Sequence, residues 1–260
     1  MTRVVVLAAC LVALLGIEGR GQSPVGAPPK PLPDRDSFLA AVRENATRSQ
    51  RAQNGYAYRE RRTDIHTNPF GRLGTGGTRV IEVVPDADGL MATRLLVERD
   101  GQPANAAPER IRLARRREGG PPRGVEDVVQ TLEFTITGRE VIGGTSFVVL
   151  EFAPRPNAKP TTRQGRLAKV FRGQMWIDEQ SQEVARAEGT AIEDISFGLG
   201  FVARLRKGAV VTAERKPVPG GVWMPTSVRF TGAGRAMLFR RLDVDFAIDW
   251  FDYRLVTANR

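Results

Sequence analysis

Leu242-Asp243-Val244-Asp245-Phe246-Ala247-Ile248-Asp249-Trp250 reads as a strand with two unlike faces. Side chains alternate along extended backbone, so Leu242, Val244, Phe246, Ile248 and Trp250 point one way and Asp243, Asp245, Ala247 and Asp249 the other. One face meets a core or a cavity and the other meets water, the pattern of an antiparallel sheet with one solvated side.

The same period extends backwards through the chain. Residues 134–140, 145–153, 169–178, 183–190, 201–216, 222–231 and 235–256 form a series of strand candidates. They are separated by Gly143-Gly144, a proline-bearing loop at 154–160, a turn at 179–182 and the Pro217 to Gly221 turn. Three earlier candidates, at 56–61, 80–84 and 94–99, are bounded by Asn68-Pro69, Gly74 to Gly77, Pro85-Asp86, Asp88-Gly89 and Asp100-Gly101. Short strands without long helices between them predict antiparallel pairing, not a doubly wound sheet. The stretch 145–153 is apolar on both faces and needs covering elements. An amphipathic helix capped by Asp34 or Asp36 and ended by Asn54-Gly55 supplies one, with Phe38, Leu39, Val42 and Ala46 on its apolar side. Two short helices are expected at 108–117 and 124–132, the first strongly basic.

Met1-Thr2-Arg3 followed by the uncharged run 4–17 has the shape of a signal peptide, too short for an ordinary membrane span. Gly19 and Gly21 place cleavage after residue 21. Leu7-Ala8-Ala9-Cys10 has the outline of a lipidation box, but the apolar run continues for seven residues beyond Cys10, so lipidation there is not expected. Removal of residues 1–21 leaves an exported protein without cysteine. Prolines 24, 28, 29, 31 and 33 make residues 22–33 an extended spacer, and 34–260 is expected to be a single domain.

The 260 residues carry 39 Lys plus Arg against 29 Asp plus Glu, a net charge of +10. Only five of the 39 are lysines, at 30, 159, 169, 207 and 216. An arginine excess suits phosphate or anionic lipid, and it also follows from codon usage. Its densest part is Arg110, Arg112, Arg115, Arg116 and Arg117, a candidate contact with an anionic membrane surface or a solvated face. Nucleic acid is disfavoured by export and by the lack of an aromatic-basic platform.

Catalytic motifs are scarce. His66 is the single histidine, in a loop before Asn68-Pro69, and no Gly-x-Ser-x-Gly elbow accompanies it. One histidine and no mature cysteine give no metal set, and Asp86-Ala87-Asp88-Gly89 reads as a polar turn before it reads as a calcium loop. Gly74-Thr75-Gly76-Gly77 lacks the Lys-Ser/Thr and helix of a phosphate loop. Asp243, Asp245 and Asp249 read as a solvated strand face before they read as catalytic acids. No catalytic residue, metal or cofactor is expected.

Several phrases, in this order, resemble the outer-membrane lipoprotein-sorting family, the LolA/LolB-like superfamily of exported proteins. They are Tyr56-Ala57-Tyr58-Arg59-Glu60 after the first helix, Leu95-Leu96-Val97-Glu98-Arg99-Asp100-Gly101-Gln102-Pro103, Gly173-Gln174-Met175-Trp176-Ile177-Asp178, Gly221-Val222-Trp223-Met224-Pro225 and Asp252-Tyr253-Arg254. The resemblance implies an α+β fold, mainly antiparallel β: a curved, incompletely closed barrel with an N-terminal helix and two short helices over its concave face. It also implies an apolar cavity that takes acyl chains of lipids or lipoproteins, or the use of the same scaffold by an envelope sensor working through protein contacts. Phe38, Leu39, Val42, Trp176, Trp223, Phe246 and Trp250 are the candidate lining, and the same residues equally suit a filled core. A non-enzymatic carrier is the expected function, a sensor or adaptor the alternative, and an exported hydrolase a distant third.

Overall fold

The structure is a computed structural model that describes residues 30–64, 77–113, 123–197, 203–236 and 240–256. Helix α1 (Arg35–Gln53) starts where the Asp34 carboxylate accepts the Ser37 amide at 3.0 Å, and Asn54 caps its end. Three strands follow: β1 (Tyr56–Asp64), β2 (Gly77–Pro85) and β3 (Met91–Arg99). The short β4 (Gln102–Pro103) and β5 (Glu109–Arg112) both pair with β3. Helix α2 (Arg123–Thr131) leads into the hairpin of β6 (Leu132–Ile142) and β7 (Thr145–Pro154). After helix α3 (Arg163–Ala168) come β8 (Phe171–Asp178), β9 (Val184–Ala191), β10 (Ile195–Phe197), β11 (Ala203–Leu205), β12 (Val210–Pro217), β13 (Trp223–Ala236) and β14 (Arg240–Leu255).

Every pairing is antiparallel, in the order β4-β3-β2-β1-β14-β13-β12-β9-β8-β7-β6. The path ends at β4 and β6 without rejoining, so the barrel is incompletely closed, as expected. Register shifts interrupt the β1/β14, β2/β3, β6/β7, β8/β9 and β12/β13 ladders. Such bulges bend a strand and raise its twist, which is how a sheet of this width curls over its own apolar side. The β6–β7 link is a two-residue turn in which Gly143 and Gly144 both take positive φ, 57° and 83°. That geometry matches the twist of the flanking strands and is open mainly to glycine, asparagine and aspartate.

Two expectations require correction. The helix expected at 108–117 does not form over its described part, because Glu109–Arg112 is strand β5. Ile111 lies between exposed Arg110 and Arg112 in period two, sits opposite Ala92 and packs with Ile81 and Val83. That local period outweighed the helical one. The other short helix is α3 instead, capped by the Thr162 hydroxyl, which accepts the Gly165 amide at 3.0 Å. The strand expected over 201–216 is broken into β11 and β12 by a turn in which Gly208 takes φ 90°.

The helices pack on one face of the sheet. α1 sets Phe38, with Leu39 and Val42, against Val148 and Leu150 of β7 and Ile177 of β8. It then follows the rim, where Asn45 donates to the Ser181 carbonyl at 2.8 Å and Gln53 to the Trp223 carbonyl at 2.7 Å. α2 and α3 sit at the other end of β7, where Val128, Leu167 and Ala168 join Phe152 and Phe171.

Candidate functional site

The helix-side face is the place to look for a site, because its residues share one surface over most of the sheet. Ladder register puts Leu150, Met175, Ala187, Ala213, Val228 and Ile248 in one row across β7, β8, β9, β12, β13 and β14. Met175 packs against three apolar clusters at once: that under α1, that under α2 and α3, and the central one of Ala187, Ala213, Val228, Ile248 and Trp250. The centre of the row is floored by alanines, with Trp250, Phe246 and Phe230 beside them, and Phe230 stacks on Phe246 at 5.4 Å. We call this strip of small residues flanked by aromatics the trough; Ala187, Ala213, Val228 and Ile248 along it are buried to 0–1% exposure, and the flexible Met175 packs at its end.

The trough meets a polar stripe on β1. Glu60 lies opposite Trp250 on one side and Ile81 on the other, so it belongs to the same face. It is 5% exposed. Burial pushes its carboxyl above the usual carboxylate range, against the pull of Arg94, Arg62 and a hydrogen bond from Trp250. Its Oε1 is buried without a hydrogen-bond partner. Tyr58 packs against the central cluster and against that of Ile81, Val83 and Ala92, and burial raises its phenol to about 12. Tyr253 stands 5.9 Å from it, ring to ring, donates to the Pro225 carbonyl, and is also pushed up by burial. Farther along β1, buried Asp64 accepts from Arg62 at 3.3 Å and from Arg79 at 3.1 Å.

The opposite face is built differently. Trp176 alternates with Met175 and Ile177 and therefore points away from the trough, with Arg186 over its ring at 4.6 Å and its indole donating to Glu140 at 2.9 Å. A shallow groove of about 580 Å³ lies on this face between Glu133, Thr135, Glu151, Arg172, Gln174 and Thr190. Phe152, Ala153 and Gly173 complete its lining, so it mixes charged rims with some apolar surface and stays open to solvent.

No family model and no curated protein matches the chain. In fold, it is similar to several solved structures. One is an outer membrane lipoprotein-sorting protein domain from Vibrio parahaemolyticus, with 11% identity over 86% of this chain and 95% of that one, at a TM-score of 0.38. Another is a LolA superfamily protein from Nitrosomonas europaea, with 11% identity over 83% and 92% and a TM-score of 0.35. A third is the Pseudomonas aeruginosa MucA/MucB complex, with 9% identity over 84% and 95% and a TM-score of 0.27. The likeness is one of fold. At such values it carries nothing about chemistry, and the site is argued from this chain's own residues.

Of the seven expected lining residues, the structure brings Phe38, Leu39, Val42, Phe246 and Trp250 to the helix-side face. Trp176 lies on the other face, and Trp223 is buried at the rim beneath the end of α1. Arg110 and Arg112 lie on β5, both exposed. The Arg110 guanidinium grips both Asp86 oxygens, whereas Arg112 has no ionic partner among the described residues. Arg115, Arg116, Arg117, His66 and Cys10 lie outside the described residues. Asp249, from the expected acidic face, is held by Arg229 at 2.6 Å. The Asp86 to Gly89 stretch is the polar β2–β3 turn, where Asp88 accepts the Leu90 amide at 2.9 Å. Among the described residues no group of three or more His, Cys, Asp or Glu could hold a metal, and no helix is long and apolar enough to cross a membrane.

The sequence reasoning missed Glu60, Arg62 and Arg94 as site residues. The signal was present in Tyr56-Ala57-Tyr58-Arg59-Glu60, where the alternation that turns Tyr58 to the apolar face turns the Glu60 carboxylate the same way.

Proposed function

We propose that the chain is a non-enzymatic carrier of the bacterial-type cell envelope that holds acyl chains of lipids or lipoproteins against the helix-side face of its sheet. The carrying observation is the unbroken apolar row from Leu150 through Met175 to Ile248, small at its centre and flanked by helices at its β7–β8 end. α1 is suited to lifting, since Phe38 is its one fully buried apolar side chain, Leu39 and Val42 beside it are only partly buried, and the rest of its docking is polar. Each methylene taken from water gains about 0.8 kcal/mol, so roughly ten of them supply on the order of 8 kcal/mol, enough to offset displacement of a lightly held helix. Export rests on residues 1–21 as a signal peptide, with 22–33 as spacer and 34–260 as one domain.

Native mass spectrometry of protein recovered from the envelope, paired with uptake of a fluorescent fatty acid, tests this reading. Bound lipid and saturable uptake are expected; protein free of lipid that takes up none refutes it. A sensor or adaptor role is favoured by one observation, the end of the strand order at β6, whose tip presents Val141 and Ile142 at 68% and 47% exposure. A single protein partner in a pull-down, with no lipid uptake, would establish that role in place of the carrier.

A further inference from the structure

Resting on the carrier reading, we infer that Glu60 is the polar anchor of the ligand, and that the headgroup it takes carries hydrogen-bond donors, hydroxyl or ammonium, instead of a free carboxylate. A buried carboxylate oxygen without a donor is rare, because the water it gave up must be replaced by something. The Glu60 carboxyl has a donor in Trp250, while its Oε1 has none, although guanidinium-bearing Arg62 and Arg94 stand close enough to act on the charge. The two arginines are turned to other work. Arg62 donates to Asp64 at 3.3 Å and lies over the Phe246 ring at 5.3 Å, and Arg94 is 3.6 Å from Glu109.

The position of the carboxylate suits a headgroup. Glu60 sits where the alanine-floored trough ends and the polar stripe begins, next to Trp250, which is itself part of the trough. Ala213, Val228 and Ile248 are at most 1% exposed, so an amphiphile lying along them first displaces what covers them and then reaches Glu60 with its polar end. The side chains flanking the carboxylate are long and partly exposed, Arg62 at 31% and Arg94 at 24%, so they can swing aside for an entering group. The unmatched valence is an acceptor, and it selects for a donor. A fatty-acid carboxylate would set like charge against like, with only the already engaged arginines to offset it.

The experiment measures binding of three probes that share one acyl chain to the full mature chain and to Glu60→Gln: 1-monooleoylglycerol with hydroxyl donors, oleylamine with an ammonium, and oleate with acceptors alone. Wild type is expected to bind at least one donor probe tenfold or more tighter than oleate. Glu60→Gln is expected to cut that preference threefold or more for the glycerol headgroup, whose hydroxyls still find the amide oxygen, and more steeply for the ammonium, which loses its counter-charge. The two arms thus separate the two donor sources. Equal binding of all three probes in wild type, or a preference that Glu60→Gln leaves unchanged, overturns the anchor while leaving the carrier intact. Absence of binding by every probe overturns both. Should Glu60→Gln fail to fold, the Glu60 carboxyl carbon resonance in labelled wild type decides instead: it must move on titration with whichever donor probe binds tighter and stay in place with oleate.

Discussion

Asp127 joins the two helices that close one end of the trough, and its removal should loosen that end selectively. Its carboxylate, on α2, accepts the Thr161 amide at 3.1 Å and, from Thr162, the amide at 2.7 Å and the hydroxyl at 2.6 Å. The same Thr162 hydroxyl accepts the Gly165 amide and caps α3, so one carboxylate organises the start of the next helix. Gly165 leaves room for it, since a Cβ at that position would collide with the Asp127 carboxylate and the Pro160 ring. Burial works against the Asp127 charge, but the Thr162 and Thr161 bonds outweigh it and hold the carboxyl below its usual 3.8. Bonds to a charged acceptor are worth about 1.5–3 kcal/mol each before losses, and they are not additive, so Asp127→Ala should cost about 2–4 kcal/mol. For a domain of this size that is a fall of roughly 5–12 °C in Tm. Asp127→Asn keeps one acceptor and should lose about half as much. The contribution of a lowered carboxyl is complete above its unfolded pKa near 3.8 and is lost as pH falls through the folded pKa below it, so the gap between mutant and wild type should narrow in acid. Urea unfolding at pH 7 and pH 3 gives the global figure, and hydrogen exchange at the Thr161, Thr162 and Gly165 amides gives the local one. Asp127→Ala within about 0.5 kcal/mol of wild type, the scatter of ordinary surface substitutions, would refute the reasoning.

Other consequences can be checked in the same way. Leu150→Ala empties a site that is 1% exposed beneath Phe38, and should cost about 2–5 kcal/mol in urea unfolding; a loss under about 1 kcal/mol would mean that α1 does not seal that cluster. The Glu179 carboxyl is held at about 2, against an ordinary 4.5, by Arg139 and Lys30 and by the Ser146 hydroxyl. Its charged form is the one bound, so its stabilisation is full above about pH 4.5 and drains away toward pH 2. Near the surface that amounts to on the order of 1–2 kcal/mol, and Glu179→Gln should flatten the acid limb of the stability profile; an unchanged limb argues against it. In flotation with anionic vesicles, Arg112→Ala should weaken binding about fivefold, from roughly 1 kcal/mol per basic residue, and Arg110→Ala less, because Asp86 already holds that guanidinium. Equal losses, or none, would remove β5 from any membrane contact.

The sequence by itself determined the antiparallel sheet, the capped first helix, the hairpin turns and the poverty of catalytic groups, because period, caps and glycine pairs are local and survive without knowledge of the partner. Phe246 and Trp250 could be placed on one face from their own strand alone. Tertiary structure decided what crossed between strands. Trp176 left the expected lining because its neighbours Met175 and Ile177 took the helix side. Arg110 and Arg112 became strand residues because Ile111 found Ala92 across the ladder, a partner nearly twenty residues away that helical spacing could not reveal. Glu60 gained its importance in the same manner. Its face was legible in Tyr56-Ala57-Tyr58-Arg59-Glu60, but only the pairing with Trp250 and Ile81, strands from opposite ends of the chain, buried the carboxylate and left one oxygen without a donor.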